Sequence, residues 1–176
     1  MKQDIGKYSG ALLMFGFGVL ALYRWHQTQL LFFLLLVLRD FVAAYFFLKR
    51  RPAEIKSGRL PTIASYISSA LPLCYLGSDN VLPLFLLIST IMAVIGFLLV
   101  ALATIELGTS LGISPAKRQL VKSGVYKIIA HPMYVGYAIA ESGLTLINPI
   151  NAGILILSLL LYWVRAKQEN KILGPC

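Results

Sequence analysis

The chain has 176 residues and a formal net charge of +9, is 58% hydrophobic and has only 13% charged residues. A soluble domain is about half apolar and about a quarter charged, so a mean hydropathy of +0.77 excludes a water-soluble globule of this size and makes lipid the solvent for most of the chain. The basic residues stand in short clusters between apolar runs, which is how membrane topology is written; anionic headgroups are therefore the expected partner of this charge, not nucleic acid.

Apolar runs fall at 9–23, 30–48, 61–76, 81–107, 133–147 and 151–164. After the first eight residues the first run continues without a small-residue cleavage site, so it reads as a membrane helix and not as a cleaved signal. A hydrocarbon core of about 30 Å needs about 20 helical residues. The second and fourth runs meet that length, and the third, fifth and sixth are short and must thin the bilayer or borrow flanking residues. Continuous runs without alternation exclude a barrel and leave helices as the spanning structure. The fifth and sixth runs, joined by Asn148-Pro149-Ile150-Asn151, read as a helical hairpin. The expectation is an all-α, polytopic membrane helix bundle of about six transmembrane helices, forming one domain over 1–176.

Charge orients the bundle. With six spans and the N-terminus inside, fourteen of the sixteen basic residues fall in inside segments. Arg24 is assigned to an outside loop and Arg39 to a span. The positive-inside rule then puts both termini on the cytoplasmic side. The outside loops, 24–29, 77–80 and 148–150, are minimal. The inside loop 108–130 is long, with four basic residues, four glycines or prolines and Tyr126, and loops on a rigid scaffold carry function disproportionately. Two cysteines, Cys74 and Cys176, form neither a disulfide framework nor a metal-ligand spacing, and no metal is expected.

Ionisable residues inside the runs are the next candidates. Arg39 and Asp40 lie near the middle of the second run, where charge is costly and functional by default. Adjacent helix positions face apart, so each is expected to find a separate partner, with Glu106 or Glu141 as candidates. Glu141 reads as a general base or a polar anchor, and Glu106 is expected to meet the basic loop. The pairs Gly16/Gly18 and Gly108/Gly112 read as marks of close helix packing.

The segment from Leu120 to Tyr134 is the most informative. Pro132 before a long apolar run reads as the first helical position. His131 is then the N-cap, beside free backbone donors and the positive end of the dipole, a site for an anionic group. Gly124 permits a tight turn, and Tyr126 and Tyr134 offer aromatic faces with polar tips. Further on, Arg165 and Glu169 are four apart on one helix face, either as a surface pair or as a guanidinium and carboxylate that together bind a zwitterion.

Gly124-x-Tyr126, His131-Pro132-x-Tyr134 and Arg165-x-x-x-Glu169-x-x-x-Leu173, in this order and spacing, resemble the isoprenylcysteine carboxyl methyltransferase and phospholipid methyltransferase superfamily of integral membrane enzymes. The stretch 107–121 is similar to the bacterial branch of that group. The resemblance covers about residues 100–176. It implies S-adenosylmethionine as methyl donor, released as S-adenosylhomocysteine, at the cytoplasmic end of the last helices. By that analogy Leu120, Val121, Gly124, Tyr126, His131, Pro132, Met133, Tyr134, Glu169 and Asn170 would line the cofactor pocket. Glu169 would hold ribose hydroxyls, and Arg165 would orient a lipophilic acceptor, with these two as the catalytic candidates. The acceptor class stays open between a carboxylate of a prenylated-cysteine-like substrate and a lipid amine. The chain departs from the family where Ala130 replaces the usual Arg before His-Pro, where Asn170 replaces the second of two glutamates, and where 174–176 stand in place of a basic, tyrosine-rich tail. These departures motivate a non-catalytic relative as the alternative. Arg39 and Asp40 motivate a small transporter, against which the absence of inverted repeats speaks.

Overall fold

The computed structural model describes residues 5–50, 52–53, 55–114, 116–117 and 121–173. Among them the apolar runs form six α-helices: α1 (Ile5–Thr28), α2 (Leu31–Lys49), α3 (Arg59–Ala70), α4 (Pro83–Leu107), α5 (Pro132–Ile147) and α6 (Asn151–Leu173). Pro83 and Pro132 open α4 and α5 in the first turn, where a missing N–H removes no helix bond. Three 3₁₀ turns follow α3, follow α4 and precede α5, at Leu71–Cys74, Gly108–Ser110 and Gly124–Lys127. The only β structure among the described residues is a two-residue antiparallel ladder, β1 (Ile55–Lys56) with β2 (Ala116–Lys117), which ties the α2–α3 connection to the loop before α5.

Two helix pairs dominate the packing, α1 on α2 and α4 on α5. The second pair is an intimate crossing of small residues. A Cβ on Gly96 would lie 2.3 Å from the Gly136 carbonyl oxygen, one on Gly136 would lie 2.6 Å from the Gly96 carbonyl oxygen, and one on Gly143 would lie 3.0 Å from the Ser89 backbone. In lipid no hydrophobic force brings helices together, so close backbone approach and its dispersion energy carry association. Helix α6 then packs on α3 and α5. The core between them is aromatic: Phe32 contacts Phe33, Tyr75 and Phe97, and Phe97 contacts Tyr137, all edge-on at centroid separations of 5.4–6.3 Å.

The bundle has two distinct ends. At one, the Arg24 guanidinium donates to the Tyr75 carbonyl, Asn148 Nδ2 donates to Gly77 O at 3.2 Å, and Asn151 donates to Leu76 O and Leu144 O while accepting from Leu76 N. At the other lie the start of α1, the end of α2, the β ladder, the end of α4, the 108–130 loop, the start of α5 and the end of α6. Except for Arg24 and the midway Arg39, the described basic residues belong to this second end, so the charge asymmetry read from the sequence is an asymmetry of the folded bundle.

Three stretches are long and apolar enough to cross a membrane: Gly6–Thr28, Leu31–Lys49 and Pro83–Ser110. With α3 at 12 residues and α5 at 16, each is shorter than about 30 Å at about 1.5 Å per residue. At 23 residues α6 is long enough, but Arg165, Lys167, Glu169 and Lys171 occupy its last third.

Three expectations need correction. Arg39 and Asp40 do not find separate partners: the flexible guanidinium folds back along α2 to place Nη1 2.6 Å from Asp40 Oδ1. Gly16 meets nothing within 4 Å, and Gly108 closes α4 at a positive φ of 47° with open space around it; of the glycines singled out for packing, Gly18 alone among those described with a close neighbour presses on a ring, that of Phe41. Arg24 belongs to α1 and not to a loop. Of the two readings of Glu141, the geometry matches the polar anchor: it is 0% exposed and accepts from Tyr75 OH at 3.0 Å and Tyr162 OH at 2.6 Å.

The small-residue crossing predicts opposite outcomes for two glycine substitutions. Gly136→Ala must push α4 and α5 apart and should cost about 1–3 kcal/mol. Gly16→Ala should be neutral or stabilising by up to about 1 kcal/mol. Thermal unfolding in detergent compares them directly.

Candidate active site at the polar end of α5 and α6

Two side-chain stripes face each other. On α5, Tyr134, Tyr137 and Glu141 follow at three and four residues; on α6, Tyr162, Arg165 and Glu169 do the same, and such spacing keeps each set on one helix face. The helices run antiparallel, so the stripes meet rung by rung. Tyr162 donates to Glu141, tilts against Tyr137 at 6.0 Å and stacks on Tyr134 at 5.5 Å with rings 8° from parallel. Arg165 lies over the Tyr134 ring at 5.0 Å. At the polar end Tyr134 OH donates to Glu169 Oε1, His131 stacks on Tyr134 at 5.6 Å, and His131 Nδ1 stands 3.4 Å from Glu169 Oε2.

His131 is the N-cap residue of α5, with its side chain turned away from the backbone. Its Nε2 meets Asn170 Oδ1 at 3.0 Å. The anion beside this helix start is thus the chain's own Glu169. The hydrogen bond to that carboxylate, with its negative charge and with Asn170 adding to it, raises the His131 pKa against the opposing effect of burial. Burial first, then Glu169, also pushes the Tyr126 phenol up and keeps it protonated.

Arg165 is not a surface pair. It is 9% exposed, with Nη1 donating to Ser68 Oγ at 2.7 Å and Nη2 to Ile113 O at 2.8 Å. It therefore joins α6 to α3 and to the loop after α4. The loop itself is held from α4: both Glu106 carboxylate oxygens accept from Val125 N, at 3.0 and 3.1 Å. Gly124 has φ +52°, and a Cβ there would fall 1.6 Å from Glu106 Oε1, so both the left-handed turn and the approach of Glu106 require a glycine.

Around these groups lies a cavity of about 150 Å³, lined among others by Val121, Tyr126, Ala130, His131, Met133, Tyr134, Tyr137, Tyr162, Arg165 and Glu169, with Arg39, Ser68 and Thr104 reaching it from α2, α3 and α4. A second, shallow hollow of about 360 Å³ over Glu106 and Lys122 shares Leu107, Ser110 and Val121 with it. The structure thus gathers Val121, Tyr126, His131, Met133, Tyr134, Arg165 and Glu169 at one cavity. Gly124, Pro132 and Asn170 stand behind its wall: Gly124 shapes the turn, Pro132 starts α5, and Asn170 holds His131. Leu120 lies outside the described residues. Sequence reasoning missed Tyr137 and Tyr162, whose three-residue offsets from Tyr134 and Arg165 were the available signal, and Ser68, for which the sequence carries none.

The sequence model of the phospholipid methyltransferase family matches residues 84–173, about half the chain and all of α5 with its loop. The chain belongs to this family of methyltransferases. The match begins earlier than the motifs alone suggest, taking in α4, the helix that carries Gly96 and Glu106. No curated protein and no solved structure matches the chain. Family membership and three long apolar helices together make it a membrane protein.

The His131–Glu169 contact predicts a pH dependence. With the folded-state pKa of His131 above its ordinary 6.5, the stability it contributes is fully present below about 6.5 and is lost as pH rises through the raised value. Thermal unfolding between pH 6 and 9 should show a decline for the wild type and a flatter profile for Glu169→Gln.

Proposed function

We propose that this chain transfers a methyl group from S-adenosylmethionine to a lipophilic acceptor at the cytoplasmic face of the membrane. The observation that carries the reading is the cluster of His131, Tyr134 and Glu169 at the mouth of an aromatic-walled cavity, within the stretch matched to a methyltransferase family.

The residues present suit the cofactor. Glu169 presents a carboxylate that is 23% exposed at its side chain, able to accept from two vicinal hydroxyls, with Tyr134 and His131 fixing its direction. Tyr126 and Tyr134 offer ring faces for a planar base. The cavity alone is smaller than the 300–1,000 Å³ of ordinary ligand pockets; a nucleoside-sized ligand would extend past Leu107, Ser110 and Val121, the residues it shares with the neighbouring hollow. When bound, the donor supplies an electrophilic methyl group to a nucleophile of the acceptor. The chain's own part is positioning, which governs an in-line displacement. Arg165, fixed by Ser68 and Ile113, holds the acceptor side. A carboxylate acceptor has no proton to lose. An amine acceptor must lose one, and Glu169 is the carboxylate within the cavity wall to receive it, since Glu141 is enclosed by two tyrosines. Ala130 and Asn170 stand at the cavity edge and behind His131, so neither departure from the family pattern removes a group that the cluster uses.

This placement takes all six helices as membrane-embedded. Residues 28, 76–77, 144, 148 and 151 meet at one end of the bundle, so the segment after α3, the end of α5 and the start of α6 lie level with the end of α1. The basic end is then cytoplasmic by the positive-inside rule, and it carries the cavity. A cysteine at Ser123, in a background lacking Cys74 and Cys176, should react in intact cells with a membrane-permeant maleimide and not with an impermeant one; the reverse pattern rejects the orientation.

Calorimetric binding of S-adenosylhomocysteine to the purified protein in detergent tests the donor site. Saturable binding by the wild type, weakened at least about tenfold in His131→Ala and in Glu169→Ala (about 1.4 kcal/mol or more), is the expected result. A well-folded wild type that binds nothing leaves a non-catalytic relative.

A further inference from the structure

Arg39 lies in α2, outside the family-matched stretch, yet it lines the same cavity as Arg165 and Glu169. Its side chain is 10% exposed. One terminal nitrogen, Nη1, is engaged by Asp40 at 2.6 Å and lies 3.9 Å from Met14 Sδ. The guanidinium sits over the Tyr137 ring at 4.9 Å. Its Nε is buried without a hydrogen-bond partner. Arg165 repeats the pattern: both terminal nitrogens are spent on the protein, while Nε is buried and unpartnered.

A buried cationic donor with no acceptor carries an uncompensated desolvation cost. Two arginines that line one cavity, each with a donor left unpaired, ask for the same ligand chemistry, an anionic oxygen, which guanidinium binds in preference to neutral groups. Beside Arg39 the cavity wall is hydrocarbon, made by Met14, Ala43 and Phe47. Charged donors next to an apolar wall fit an amphiphile whose oxyanion adjoins its chain. Asp40, 1% exposed, meets Nη1 alone, so a ligand oxygen that draws the guanidinium toward the cavity would give Nε the partner it lacks.

We propose that Arg39 is the acceptor-side oxyanion contact: it takes a phosphodiester or carboxylate oxygen of an amphiphile whose chain runs along Met14, Ala43 and Phe47. The word acceptor rests on the methyl-transfer reading; the binding itself does not. Arg39 is accordingly a specificity-determining residue supplied by the N-terminal half of the chain.

The test is titration of the full chain in nonionic detergent with dodecyl phosphate, dodecanoate and dodecyltrimethylammonium, followed by calorimetry. The wild type should bind at least one of the two anions ten times more tightly than the cation. Tighter dodecyl phosphate points to a phospholipid acceptor, and tighter dodecanoate to a carboxyl-ended one. The charge-balanced double variant Arg39→Gln/Asp40→Asn should lose that preference at least tenfold while still unfolding cooperatively on heating. Should the double variant fail to fold, Arg39→Lys, which keeps the charge and removes the Nε donor, should weaken anion binding at least threefold. An Arg39-dependent anion preference in a wild type that does not bind S-adenosylhomocysteine would sustain the site and reject methyl transfer. Equal affinity for anion and cation in the wild type, or anion binding untouched by these substitutions, overturns the proposal.

Discussion

The facing of α6 toward α5 depends on one buried carboxyl, that of Glu141. It accepts one hydroxyl from Tyr75, which follows α3, and one from Tyr162, on α6, so three separate segments share a single acceptor. Unmade hydrogen bonds in a lipid-surrounded core cost several kcal/mol each, so the arrangement is costly to break. The bond to Tyr162 sets the rotation of α6 about its own axis. Once it is made, the next rungs follow by helix geometry: Arg165 comes over Tyr134, and Glu169 arrives at Tyr134 and His131. Since each residue turns the helix by about 100°, a slip of one position would carry Glu169 away from α5. The carboxyl deep in the bundle therefore governs a site about two turns distant.

A second constraint is the approach of α4 to α5. The pair is close because Gly96 and Gly136 have no side chains to hold their backbones apart. That closeness brings Glu106, at the end of α4, within reach of Val125, and so fixes the loop that forms one wall of the cavity. Packing in the membrane interior and loop order at its surface are here one structure.

Much of this was legible from the residues. The apolar runs gave the helices because lipid permits little else, and Pro132 marked the start of α5 by the same chemistry that places it there. Arg165 and Glu169 were readable because i, i+4 spacing is a property of one helix. Features that join distant helices were not readable. Gly16, Gly96 and Gly136 look alike in a sequence, and only the direction each faces separates a packing surface from open lipid. Ser68 reaches Arg165 across 97 positions, a distance that no local pattern encodes. The Arg39–Asp40 contact ran against the rule that adjacent helical residues diverge; that rule concerns Cβ directions, and a guanidinium on a four-bond stem is free to bend back.

The two ends of α6 are fastened differently. At its start, Asn151 is bonded to main-chain atoms on both sides, which permits almost no travel. At its other end, α6 is held through the tips of long side chains, those of Arg165, Glu169 and Asn170. A rod of 23 residues, about 34 Å at 1.5 Å per residue, anchored at one end is a lever with its fulcrum at Asn151. A tilt of about 5° there carries the far tip about 3 Å, enough to part a hydrogen bond. The bundle is thereby built as tweezers, hinged at the end that Asn148 and Asn151 fasten and free to part where the basic residues gather.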